Sequence, residues 1–96
     1  MPAATRLGDL NTGHDACPPV PLASASSDVL INGKGAGRVS DPYAQHGCVA
    51  HPSHAGKVAQ GSATVFINGL ATARIGDPVD CGGTVAEGSS NVTIGG

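Results

Sequence analysis

Ninety-six residues make one small domain, which hides only about 60 to 65% of its unfolded surface, so its core must be thin. With no Trp, one Tyr and one Phe, burial must come mostly from Ala, Val, Ile and Leu. Against roughly 1 to 2 kcal/mol of backbone entropy per residue, so light a core calls for a staple, a metal or a disulfide. Five Lys plus Arg against seven Asp plus Glu, with no basic cluster, argue against nucleic acid as a partner, and no apolar run approaches the ~18 residues of a membrane span.

The chain begins MPAATRLGDLNTGHD, which has neither the charged end nor the apolar middle of a secretory signal. Synthesis as a soluble cytoplasmic protein is therefore expected, and any export would have to use another route. Within this start, Arg6, Leu7, Gly8 and Asp9 form an R-x-x-D segment, followed by a loop that carries His14 and Cys17.

Next comes DVLINGKGAGRVSDP, residues 28 to 42, which joins a V-x-I-N-G half to an R-V-x-D half. Asn-Gly between alternating apolar residues is the strongest short-range hairpin signal, because both residues tolerate the positive φ of a type I′ turn. Val29 and Ile31 share one strand face and Leu30 takes the other. A long loop follows, QHGCVAHPSHAG, which holds His46, Cys48, His51 and His54.

Residues 64 to 78 repeat residues 28 to 42 with a shift of 36, and seven of fifteen positions are identical: Val29/Val65, Ile31/Ile67, Asn32/Asn68, Gly33/Gly69, Arg38/Arg74, Asp41/Asp77 and Pro42/Pro78. A third loop then carries Cys81, and the chain ends SSNVTIGG, where Val92, Ile94 and Gly96 reproduce the start of the repeat. There are thus three copies, and the third is cut across its middle, its first half at the C-terminus and its second at the N-terminus. Such a division implies a closed ring, with residues 89 to 96 paired beside residues 3 to 9. Fifteen Gly and seven Pro leave no ten-residue stretch with a helical period. The expected fold is all-β: three pseudo-threefold β-hairpin repeats in a small conical domain.

Every His and Cys lies in one of the three connecting loops, and around a threefold axis equivalent loop positions converge. His14 stands five residues after Asp9 and Cys81 four after Asp77, while HAGKVAQGS aligns with CGGTVAEGS and makes His54 the counterpart of Cys81. Zinc suits such a point, since it takes imidazole and thiolate in a tetrahedron and a site with four protein ligands is structural. The expected ligands are His14, His54 and Cys81, with His51 ranked ahead of His46 and Cys48 as the fourth because it stands three residues before His54. Cys17 and Cys48 could instead pair and leave Cys81 for the metal, but three cysteines and a cytoplasmic start favour thiols. Asn91-Val92-Thr93 reads as strand sequence, not as a glycosylation acceptor. The recurring Arg6/Arg38/Arg74 and Asp9/Asp41/Asp77 read as Arg–Asp contacts or turn caps repeated once per unit, not as catalytic groups.

The alternation SSDVLINGKGAGRVSDP, GSATVFINGLATARIGDPVDCGG and GSSNVTIGG, with the PAATR start, closely resembles the PAAR-repeat proteins over essentially the whole chain. The resemblance implies a mostly β cone that sharpens the tip of a trimeric VgrG-like spike in bacterial type VI secretion, or of a phage spike in a contractile tail. It also implies an apical zinc held by three His and one Cys, the count reached above for His14, His51, His54 and Cys81. The long first and second loops, with Cys17, His46 and Cys48, depart from the family pattern. A cap of this kind would be a monomer when free, would sit one per trimer, would touch the target membrane only in passing, and would carry no toxin of its own, so that effectors would dock on it or ride the spike. It would leave the cell only on contraction. A zinc-dependent hydrolase would instead need an open coordination position and a general base, and a free-standing zinc-binding domain would need no trimeric partner.

Overall fold

Frequent Gly and Pro cut the chain into short extended pieces, so that backbone groups find partners across distant segments and not within long strands. The computed structural model describes residues 1–13, 17–48 and 51–96, with the backbone alone at 46–48 and 51–54. Among the described residues six strands are formed: β1 (Leu30–Ile31), β2 (Lys34–Gly35), β3 (His46–Cys48), β4 (His51–His54), β5 (Phe66–Ile67) and β6 (Leu70–Ala71). They pair as three antiparallel hairpins, β1 with β2, β3 with β4 and β5 with β6. Among the described residues there is no helix, and hence none long and apolar enough to cross a membrane.

The two Asn-Gly hairpins form where the sequence places them. Asn32 and Gly33 have φ of 54° and 80°, Asn68 and Gly69 of 55° and 78°, the two successive left-handed residues of a type I′ turn. The β3–β4 hairpin differs from the sequence reading, which took residues 45 to 56 for a loop. Here His46 pairs with His54 and Cys48 with His51, with an irregular register between them. A segment this long folds back on itself, and backbone pairing satisfies groups that a loop would leave to water.

At the centre, three chain segments close a ring of backbone bonds. The Thr5 amide donates to the Ala73 carbonyl (3.3 Å), the Ala73 amide to the Gly37 carbonyl (2.9 Å) and the Gly37 amide to the Thr5 carbonyl (3.0 Å). The bridges Arg6↔Ala36, Arg38↔Thr72 and Ala4↔Arg74 join the same segments in the same cyclic order. The two chain ends lie together: Ala3 bridges Thr93, the Ala4 amide donates to the Val92 carbonyl (3.0 Å) and the Ile94 amide to the Pro2 carbonyl (2.9 Å). Gly37 permits the close approach, since a Cβ there would lie 2.7 Å from Thr5 Cγ2 and 2.9 Å from Leu22 Cδ2.

The ring divides two apolar clusters. Ala4, Ile31, Ala36 and Ile67 gather on one side, covered in part by Val92 and Ile94. Leu22, Tyr43, Val58, Ala73, Val79 and Val85 gather on the other, with Cys81 packed at their edge. Burying side chains such as Leu22, Val58 and Val85 contributes about 1.5 to 3 kcal/mol each. The chain extends 37 Å along its longest axis and 24 and 22 Å across. Ile31 and Ile67 of the Asn-Gly hairpins thus pack in the first cluster, and Cys81 against the second. Cys17 is disulfide-bonded and Cys81 is a free thiol. The sequence expectation of thiols thus fails at Cys17, where a covalent staple limits the unfolded chain and compensates for a light core.

Candidate functional site

The R-x-x-D segments each close a tight turn. The amides of Asp9, Asp41 and Asp77 donate to the carbonyls of Arg6, Arg38 and Arg74 at 2.9 to 3.0 Å. Each carboxylate in turn accepts from the amide and the guanidinium of its own arginine. Asp41 takes the Arg38 amide at 2.8 Å, Nε at 2.9 Å and Nη2 at 2.9 Å, and Asp9 and Asp77 are held by Arg6 and Arg74 through the same atoms. All three aspartates are buried. The carboxylate bonds raise the pKa of Arg6 and Arg38 further. Donors surround these oxygens, so the aspartates act as turn closures and ion pairs, as the sequence reading proposed.

The remaining guanidinium nitrogen reaches another segment. Arg6 Nη1 donates to Asn32 Oδ1 (3.0 Å), Arg38 Nη1 to Asn68 Oδ1 (3.0 Å) and Arg74 Nη1 to the Gly95 carbonyl (3.3 Å). Three buried serines, Ser26, Ser62 and Ser89, cap the strand starts by accepting from the amides of Val29, Val65 and Val92 at 2.9 to 3.0 Å. Their hydroxyls donate onward to Asn68 Oδ1 (2.7 Å), the Gly95 carbonyl (2.6 Å) and Asn32 Oδ1 (2.6 Å). The sequence reading missed this lattice, although a Ser three residues before each of Val29, Val65 and Val92 was visible. Around the turns, Leu30 and Phe66 stand 60% and 59% exposed, with Val29, Leu70 and Met1 also exposed.

Beside the second apolar cluster, the second and third loops meet at Cys81. Its thiol is half-buried, and burial, with Asp80 beside it, pushes its pKa up. A Cβ on Gly56 would lie 2.5 Å from Cys81 Sγ and 2.9 Å from Val79 Cγ1, so the chain two residues beyond His54 runs directly against the sulfur. A Cβ on Gly83 would strike the Gly13 carbonyl and lie 2.8 Å from Thr12 Oγ1, which sets the third loop against the residue before His14. The Thr12 amide donates to the Thr84 carbonyl and the Thr84 amide to Thr12 Oγ1, both at 2.9 Å. Asp80 and Lys57 exchange two bonds of 2.9 Å across the second and third loops.

Of the four expected ligands, only the Cys81 side chain is described. His14 lies outside the described residues, and His51 and His54, like His46 and Cys48, are placed by backbone on β4 and β3. Among the described residues no group of three metal-ligating side chains stands together. The one described ligand candidate is thus a free, half-buried thiol with Gly56 of the second loop directly against its sulfur.

No curated protein matches the chain. Residues 50–96 match the PAAR motif family model, a stretch that runs from β4 through the Asn-Gly hairpin β5–β6, the R-x-x-D turn of Arg74 and Asp77, and Cys81 to the C-terminal segment. The second half of the chain thus carries a PAAR motif, and the first half repeats its hairpin and its ion-paired turn, which is consistent with a PAAR-repeat protein.

Proposed function

We propose that this chain is a structural spike tip: a pseudo-threefold cone that caps the trimeric spike of a type VI secretion system or a contractile phage tail. The observation that supports the reading is the cyclic set of backbone bonds among Thr5, Gly37 and Ala73, on which three similar sectors, one for each protomer, would be built. The face with the hairpin turns and the exposed Leu30 and Phe66 meets the spike, covering strand ends that would otherwise stay open. The tip of the cone is the loop cluster around Cys81. Zinc held there by His14, His51, His54 and Cys81 would tie the three loops together, which is what a tip under compression requires. The protein waits in the cytoplasm, travels outward on contraction, touches the target membrane briefly and delivers whatever effectors dock on the spike.

Mixing the protein with a trimeric type VI spike protein is expected to give a complex of one chain per trimer, read by mass photometry. Persistent free monomer would favour a free-standing zinc-binding domain. Phe66→Asp places a charge at the centre of the proposed contact and is expected to weaken docking roughly thirtyfold, the effect of losing an anchor of about 2 kcal/mol. Its melting temperature should not move, because Phe66 is exposed in the free chain. Undiminished binding by that variant would place the spike on another face.

A further inference from the structure

Both exposed hairpin turns place an asparagine directly before a glycine, a pairing whose chemistry the capping role does not use. A Cβ on Gly33 or on Gly69 would meet no heavy atom within 4 Å, so both glycines stand in open space and carry no side chain to crowd their peptide nitrogens. Each asparagine carbonyl accepts from a guanidinium and a hydroxyl. Asn32 Oδ1 takes Arg6 Nη1 (3.0 Å) and Ser89 Oγ (2.6 Å), and Asn68 Oδ1 takes Arg38 Nη1 (3.0 Å) and Ser26 Oγ (2.7 Å). Two donors on one oxygen, one of them charged, draw electron density from Cγ and stabilise the oxyanion that forms when a nucleophile adds there. The flanking strands are only two residues long, so few bonds must open for the turn to bend into a ring.

We propose that Asn32 and Asn68 are sites of spontaneous deamidation, and that conversion of Asn68 unlatches the contact that joins its hairpin turn to Asp28. The nitrogen of Gly69 bonds to Asn68 Cγ, the bond from Cγ to the amide nitrogen breaks, and ammonia leaves with the proton from the glycine nitrogen. Water then opens the cyclic imide at either carbonyl, giving aspartate or isoaspartate. Water is the only co-reactant, and no oxidant or reductant is needed.

The two sites differ in what the new carboxylate meets. Asn32 Nδ2 donates to Asn91 Oδ1 (2.9 Å), and after conversion the Asn91 amide can turn its own NH2 toward the acid. Asn68 Nδ2 donates to Asp28 Oδ1 (2.8 Å), and conversion sets one carboxylate against another. The groups facing that contact are Asp28, Ser26 and Arg38, and Arg38 is already engaged by Asp41. The bond from Asn68 holds the Asp28 carboxyl below the usual carboxylate range, so it stays ionised at neutral pH and repels the new charge.

Incubating the folded protein in mildly alkaline buffer, digesting it and mapping peptide masses is expected to show acid formation at Asn32 and Asn68 well ahead of Asn11 and Asn91, whose following residues, Thr12 and Val92, hinder the nitrogen. Equal rates at all four would overturn the assignment. The mimic Asn68→Asp is expected to melt about 5 °C below Asn32→Asp at neutral pH, with the gap closing in acid as one carboxyl protonates. Adding Asp28→Asn to Asn68→Asp should bring the midpoint back to that of Asn32→Asp. Equal midpoints for the two single variants, or no recovery in the double variant, would overturn the latch.

Discussion

Replacing Asp41 and Asp77 together by Asn is expected to remove about half of the protein's stability or more. Each carboxylate is buried and each sits opposite a guanidinium with only 16% or 13% of its side chain exposed. Removing one partner of a buried pair costs about 3 to 5 kcal/mol, because the other charge is left without compensation. Arg38 and Arg74 keep some access to water, which places the cost at the lower end, so two such losses come to about 6 kcal/mol. A domain of this length has about 5 to 14 kcal/mol to lose. The damage also spreads, since the same arginines hold Asn68 and the Gly95 carbonyl and would lose their fixed orientation. Circular dichroism with urea titration measures the effect. A double variant that keeps the parental midpoint would show that the triplicated Arg–Asp pairs are not what closes the turns.

These pairs were legible in the sequence for a physical reason: the Arg and Asp are three residues apart, and a repeated short spacing reports a local turn. The Asn-Gly hairpins were legible in the same way, through a backbone conformation that few other residue pairs accept. The Asn32–Asn91 and Asn68–Asp28 contacts, across 59 and 40 residues, were not, because nothing local requires them. The β3–β4 hairpin was hidden by its own composition. His46, Cys48, His51 and His54 suggest ligands before strands, Pro52 interrupts the pattern, and no Asn-Gly marks the turn. Cys17 shows two sequence arguments in conflict. A thin core asked for a covalent staple, while an odd cysteine count asked for thiols, and the disulfide shows that the core's demand prevailed.

Stripping metal from the native protein with a chelator is expected to unfold the Cys81 side while the Asn-Gly hairpins persist. Structural zinc contributes on the order of 10 kcal/mol in small domains, enough to decide whether those loops are ordered. The cluster of Ala4, Ile31, Ala36 and Ile67 does not include that side, and with the backbone bonds of the central ring it should survive the loss. Hydrogen exchange separates the two: amides of Thr12, Lys57, Asp80 and Thr84 should lose protection, and those of Gly37 and Ala73 should keep it. Cys81→Ser sharpens the test. The thiol's one hydrogen-bond geometry among the described residues is a long contact to the Gly82 carbonyl at 3.8 Å, so without a metal the exchange of sulfur for oxygen should be almost silent. With zinc bound it removes a ligand and should reproduce the chelator's effect, with loss of the metal from the purified protein by elemental analysis. Gly56→Ala supplies the complementary case, because its new Cβ would press on Cys81 Sγ while leaving all four proposed ligands in place. It should therefore weaken metal retention without abolishing it. If the chelator and Cys81→Ser both leave melting and exchange unchanged, the loops are held by the disulfide and backbone bonds alone, and the apical ion must be abandoned.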